Sequence, residues 1–181
     1  HSNVFNKAVF SSPMWALEAG PVPKPIARAL IDSLVWTNSL FTEQSPYFIG
    51  GQDYNAVAFN DNVLTNSKKR YQYFRDTYEK NPQLQLGSVT IDWIKQSVDA
   101  LEQAYDELNL VNMPIIVLQS GAETVIDNQG QNQFCQRLKA LDNPCYSGGP
   151  VVVDKAQHEL FIEEDQKRNV ALEHIIRFLD E

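Results

Sequence analysis

The chain has 181 residues, 43% hydrophobic and 21% charged, with a net charge of −8. That suffices for one globular domain with its own core, and no apolar run reaches the length needed to span a bilayer. The acidic balance argues against nucleic acid as a partner, because phosphate binding needs a basic footprint, and it weakens docking on an anionic membrane.

The chain opens His1-Ser2-Asn3, without an initiator Met or a signal-peptide pattern, which suggests a fragment, a processed form or a trimmed one. Val4 to Ser11 reads as a short strand, broken by Ser12-Pro13-Met14. Pro21, Pro23 and Pro25 mark a loop, since proline and the residue before it resist helix. From Pro25, the spacing of Ile26, Leu30, Ile31, Leu34 and Val35 predicts an amphipathic helix with proline in its first turn. Thr42 to Asn62 has no steady period and reads as a long ordered loop. A helix is expected from Ser67 to Lys80, with Tyr71, Phe74, Arg75 and Tyr78 on one side, and Asn81-Pro82 ends it. Thr90 is placed to cap another helix carrying Ile94, Val98, Leu101 and Tyr105 at helical spacing.

Ile115 to Leu118 reads as a buried parallel strand, followed by a helix over Asn128–Leu141 and a turn at Asn143-Pro144 and Gly148-Gly149. Val151 to Val153 is the third strand. A last helix over Glu163–Leu179 is expected to bury Val170, Ile175, Phe178 and Leu179. Only three strands are visible, few for a doubly wound sheet, and the first would leave an open edge. Cys135 and Cys145 read as two free thiols, one on a helix and one in a loop, which leaves the redox compartment open.

Two strands end by releasing a titratable side chain. Pro114-Ile-Ile-Val-Leu-Gln-Ser-Gly-Ala precedes Glu123, with Asp127 beyond it, and Pro150-Val-Val-Val-Asp-Lys-Ala-Gln precedes His158. Chemistry in open α/β sheets sits at the carboxyl ends of the strands. The pattern therefore supplies the acid and the histidine of a hydrolytic triad. No Gly-x-Ser-x-Gly turn accompanies them, and Cys145-Tyr-Ser147-Gly-Gly149 reads as an ordinary turn before a strand.

Several segments together resemble the C-terminal half of an α/β-hydrolase of the bacterial lysophospholipase and monoacylglycerol lipase branch. They are Phe10-Ser-Ser-Pro-Met14, Asn62-Val-Leu-Thr65, Arg70-Tyr71, Leu86-Gly87, Thr90-Ile-Asp-Trp93, the strand Ile115–Gln119 with Glu123 and Asp127, Phe134-Cys135, and Ala156-Gln-His158-Glu. The resemblance implies an α/β fold in which the visible strands are the last three parallel strands of a larger sheet. It places residues 1–19 in the sheet core, 20–110 in a helical cap over the site, and 111–181 in the C-terminal βαβα part of the core. It also implies that the nucleophile and the oxyanion hole belong to an absent upstream part, so that this chain alone is inactive.

His158 is the expected base, taking the serine proton and returning it to the leaving group. His1 and His174 lack such a setting. The acid fixes the tautomer and orientation of that histidine. Glu123 matches the family position, where Asp is usual and Glu is accepted, and Asp127, one helical turn on, is its rival. The 35 residues between Glu123 and His158 leave room for a helix and a strand. Ser11 and Ser12 close the first strand beside the expected substrate position. Met14, Trp15 and Trp93 are candidates for an acyl-chain pocket, where burial is worth about 0.8 kcal/mol per methylene.

The resemblance implies a lipid ester substrate; no cofactor is expected, and a metal site would need more ligands than two cysteines supply. The resemblance further implies a location in the bacterial cytoplasm or peripherally at the inner membrane, and the open edge suggests a dimer. A non-catalytic acyl-lipid or protein binding module, and another hydrolase chemistry such as a peptidase, stand as alternatives.

Overall fold

The computed structural model describes residues 4–17 and 22–181. The expected loop position Pro21 lies outside them, as does His1. Three strands form one parallel sheet in the order β1-β2-β3: Ala8–Ser11, Ile115–Ser120 and Val151–Val153. Every residue of β2 is buried, as befits a central parallel strand covered on both faces.

Side-chain alternation along the strands sorts the core into two layers. Ile116, Leu118, Val151 and Val153 face the C-terminal helix, and Ile115 and Val117 face the helix between β2 and β3. On β1, Val9 joins the first layer, and Ala8 and Phe10 the second.

β1 is shorter than its apolar run predicts, and Val4 and Phe5 stand exposed. Ala8 pairs with Ile115 and its N–H donates to the Pro114 carbonyl. One step further back, the partner is Pro114, which has no N–H to give, so the ladder stops.

Five α-helices are described, with short 3-10 turns between them. α1 (Lys24–Ser39) has Pro25 in its first turn. α2 (Lys68–Lys80) is capped by Ser67, whose hydroxyl accepts the Arg70 N–H, and α3 (Ile91–Asp106) by Thr90, which accepts the Trp93 N–H. Arg28 of α1 pairs with Asp99 and Glu102 of α3, and Lys95 donates to Asp99 at 2.6 Å. The Lys95 bond, seconded by the Arg28 charge, holds the Asp99 carboxyl below its ordinary range. These pairs are partly exposed and set the direction of the α1–α3 pair more than its stability. The segment between α1 and α2 is ordered as expected: Phe48 donates to Val89, and Ile91 to Pro46.

α4 (Asn128–Ala140) lies on one face of the sheet, α5 (Asp165–Asp180) on the other. α5 starts at Asp165 rather than at Glu163, and it seats Ala171, Ile175 and Phe178 against the sheet. Val170 and Leu179, expected in the core, are exposed because each sits one position outside that stripe.

Cys135 and Cys145 are not free thiols but a disulfide, with Cα atoms 5.4 Å apart. The bond ties the middle of α4 to the turn that enters β3, and both residues are buried. Closing so short a loop is worth about 2–3 kcal/mol by chain entropy. Dithiothreitol should therefore lower the urea midpoint of the chain by that equivalent, and an unchanged midpoint would show that the bond contributes nothing to the fold.

Candidate active site

The site forms where β2 and β3 end. Gly121, directly after β2, donates its N–H to the Val153 carbonyl at 2.9 Å, and Ala122 donates to Ala156 at 2.8 Å. A Cβ on Gly121 would fall 2.8 Å from Val153 O and 2.9 Å from Lys155 N, closer than real Cβ atoms come. The absence of a side chain there lets the turn after β2 lie against the loop after β3. That loop reverses through Lys155, at φ 53°, and delivers His158 toward Glu123.

His158 Nδ1 lies 2.8 Å from Glu123 Oε2. The Glu123 side chain is 1% exposed, the imidazole 19%. The other carboxylate oxygen, Oε1, accepts the N–H groups of Thr124, Val125 and Ile126 at 3.0, 2.7 and 3.3 Å. Four donors thus fix the acid in one orientation. A carboxylate only accepts, so Nδ1 carries the hydrogen and Nε2 the lone pair. That leaves Nε2 equipped to take a proton from a hydroxyl.

Asp127, the rival acid, does something else. Its Oδ1 accepts the Gln129 N–H at 2.8 Å and caps α4. Asn128, at the head of the same helix, donates from its side chain to the Ser120 carbonyl and so secures the end of β2.

The backbone of the histidine loop is held independently of the imidazole. Ser120 donates its hydroxyl to Gln157 O at 2.8 Å, with His158 O at 3.3 Å. With its hydrogen so used, Ser120 Oγ accepts from Ser12 Oγ, 2.8 Å away. Ser12 is buried at the end of β1 with φ 43°. Hydroxyls therefore link the ends of β1 and β2 to the loop that follows β3. Ser12, expected beside the substrate position, is tied into this chain and is not free to attack.

Met14 borders a cavity of about 460 Å³ together with Ala16 and Leu17, the opposite wall being residues 124–127, the turn that carries the acid's amide donors. Trp15 is not part of that lining. Its ring stacks on Phe134 at 3.8 Å and meets Phe10 and Tyr105 edge-on, so packing takes it into the sheet's α4 layer. Trp93 stands on α3 with 47% of its surface exposed and does not border the cavity. The candidate pocket residues are thus not one cluster.

Sequence reasoning used Asn62–Thr65 and Arg70 only as marks of resemblance and overlooked the bonds of the strap 62–70 to residues 159–165. Glu159 donates its N–H to Leu64 O at 2.8 Å, and Thr65 donates to Ile162 O at 2.7 Å. Arg70 donates to the Glu163 carbonyl and pairs with Asp165, and that bond holds the Asp165 carboxyl below its ordinary range. Glu163 itself is buried. The one signal available was an acidic residue at the end of the apolar run Leu160-Phe-Ile. Among the described residues, no group of three or more His, Cys, Asp or Glu is arranged to hold a metal ion, and no helix is long and apolar enough to cross a membrane.

A parallel sheet with an acid after one strand and a histidine after the next, joined through Nδ1, has the layout of an α/β-hydrolase. The chain belongs to the Hydrolase_4 family, described as serine aminopeptidase S33, whose profile matches residues 1–165. It is 30% identical over 180 residues to lysophospholipase L2 of Escherichia coli K12, covering 99% of this chain and 52% of that one. It is 28% identical over 177 residues to a probable lysophospholipase L2 of Haemophilus influenzae, covering 97% and 52%. The chain spans about half the length of these curated relatives. Two solved structures share the fold. One is a soluble variant of monoglyceride lipase from Saccharomyces cerevisiae, with TM-score 0.63, 16% identity and 98% and 54% coverage. The other is the monoacylglycerol lipase of Paleococcus ferrophilus, with TM-score 0.62, 17% identity and 96% and 58% coverage.

Proposed function

We propose that this chain is the acid-and-base half of a serine hydrolase that cleaves carboxylic esters of lysophospholipids or monoacylglycerols. The observation that carries the reading is the 2.8 Å bond between His158 Nδ1 and Glu123 Oε2, the other oxygen of that carboxylate being met by three backbone amides. In the proposed reaction, His158 Nε2 takes the proton of a serine hydroxyl as that oxygen attacks the ester carbonyl. The imidazolium, steadied by Glu123, returns the proton to the leaving alcohol. Water then enters by the same route and releases the fatty acid from the acyl-enzyme.

The serine is assigned to a segment outside these residues, because the chain has no Gly-x-Ser-x-Gly turn. β1, paired only with β2 among the described residues, is where the sheet would continue into that segment or into a second copy. Residues 20–110 are assigned as the cap. Ile26, Leu30 and Leu34 form an exposed apolar row on α1, which suits contact with acyl chains or a lipid surface.

A fluorophosphonate probe tests the division of labour. The 181-residue chain should take up no label, and a longer protein that supplies the elbow serine should label stoichiometrically. Stoichiometric labelling of the 181-residue chain alone would overturn the proposal. The family's description as a serine aminopeptidase favours a second reading, peptide bond cleavage by the same groups. Turnover of aminoacyl amides and no turnover of lysophospholipid by the longer protein would select it.

A further inference from the structure

Glu163 is 0% exposed and carries a carboxylate. Taking an ion out of water costs several kcal/mol unless its lone pairs are met, and an apolar side chain of similar volume would often serve stability as well or better. The identity of its partners is therefore informative. Oε1 accepts the Asn66 side-chain N–H at 2.6 Å and the Gln157 backbone N–H at 2.7 Å. Oε2 accepts the Glu164 N–H at 2.9 Å and lies 3.8 Å from Lys167 Nζ. One oxygen thus joins the strap 62–70 to the residue directly before His158.

We propose that Glu163 is a positioning residue for His158: its buried carboxylate clamps the histidine loop to the base of the cap, so the imidazole keeps its direction toward Glu123. The inference rests on the hydrolase reading above.

Three further bonds run in parallel with the clamp. His158 N–H points to Val63 O at 3.4 Å, a long bond by itself. Glu159 donates to Leu64 O. Asn66 also donates to Lys155 O at 3.2 Å, at the residue where the loop turns through positive φ. Glu163 touches neither the imidazole nor Glu123, so it acts through the backbone. It binds the preceding peptide N–H, whereas Ser120 holds the Gln157 and His158 carbonyls from the sheet side. The loop is gripped between sheet and strap, and removing one grip frees the ring to swing. The same geometry makes the strap a route by which displacement of the cap would reach the base.

The test reads the imidazole directly, in the 181-residue chain labelled with 15N-histidine. In the wild-type chain, the His158 Nδ1–H should appear as a hydrogen-bonded resonance protected from exchange with water. Glu163→Gln keeps the shape but turns an NH2 group toward donors. It should raise the Nδ1–H exchange rate about tenfold or more, the scale expected for losing a bond to a charged acceptor. Asn66→Ala, which removes only the strap's donor, should move the rate in the same direction by less. It decides alone should Glu163→Gln not fold. The aromatic resonances of Trp15 and Phe134 should stay in place in both. Variants that lower the melting temperature but leave Nδ1–H exchange at the wild-type rate would reduce Glu163 to a structural role and overturn the proposal. Absence of the protected resonance from the wild-type chain would instead overturn the acid–imidazole pair on which the hydrolase reading stands.

Discussion

Glu123→Gln, placed in a protein that supplies the nucleophilic serine, should lower ester hydrolysis by about 10⁴-fold, the loss expected when a triad histidine is held in the wrong tautomer. The glutamine matches the glutamate in size and can still accept the Thr124, Val125 and Ile126 N–H groups through its oxygen. That choice turns its NH2 toward His158 Nδ1, which must then accept. The proton moves to Nε2, and the base has no lone pair left for the serine. Asp127→Ala is the matched control. It removes the cap of α4 and should cost about 1 kcal/mol of stability, with hydrolysis of folded protein close to wild type. Steady-state kinetics beside urea melts separates the two effects. Loss of activity in Asp127→Ala with retention in Glu123→Gln would reverse the assignment of the acid.

Phe134→Ala should be the most destabilising single truncation, at about 3–5 kcal/mol. Phe134 is 1% exposed. Its ring stacks against Trp15 at an interplanar angle of 10° and meets Phe10 edge-on at 6.1 Å. Deleting it removes the floor under Trp15 and opens a void beside the disulfide, which pins α4 and limits how far the helix can collapse into the gap. Ordinary domains have only about 5–15 kcal/mol in total, so the urea midpoint should fall by a large fraction of its value. Trp15 should also gain solvent access, read as increased quenching of tryptophan emission by iodide. A midpoint shift equivalent to less than about 1 kcal/mol would mean that the aromatic layer is not what holds α4 to the sheet.

The parts of the fold legible in the sequence are those decided by neighbours along the chain. Thr90 announced the start of α3 because a capping hydroxyl acts within one turn. The Val-rich strands and the residues that follow them placed Glu123 and His158 at adjacent strand ends, since parallel strands joined by a helix must end on the same side. What could not be read depends on contacts between distant segments. β1 is cut short by Pro114, more than a hundred residues later in the chain. Cys135 and Cys145 meet only because α4 and the turn before β3 fold against each other. Glu163 read as the first residue of the last helix, and it is buried with hydrogen bonds from Asn66 and Arg70 of the strap. Choosing Glu123 over Asp127 as His158's partner likewise required coordinates, because each carboxylate accepts backbone N–H groups just after it and only Glu123 turns toward the ring.

The Cys135–Cys145 bond ties the state of the fold to the redox setting in which the chain matures. Glutathione in a bacterial cytosol keeps such pairs reduced, whereas an exported polypeptide meets dedicated thiol oxidases. Made in the first setting, the polypeptide would hold two buried sulfhydryls and a looser junction between α4 and β3. Sent through the second, it would arrive already stapled beside the strand that leads to His158.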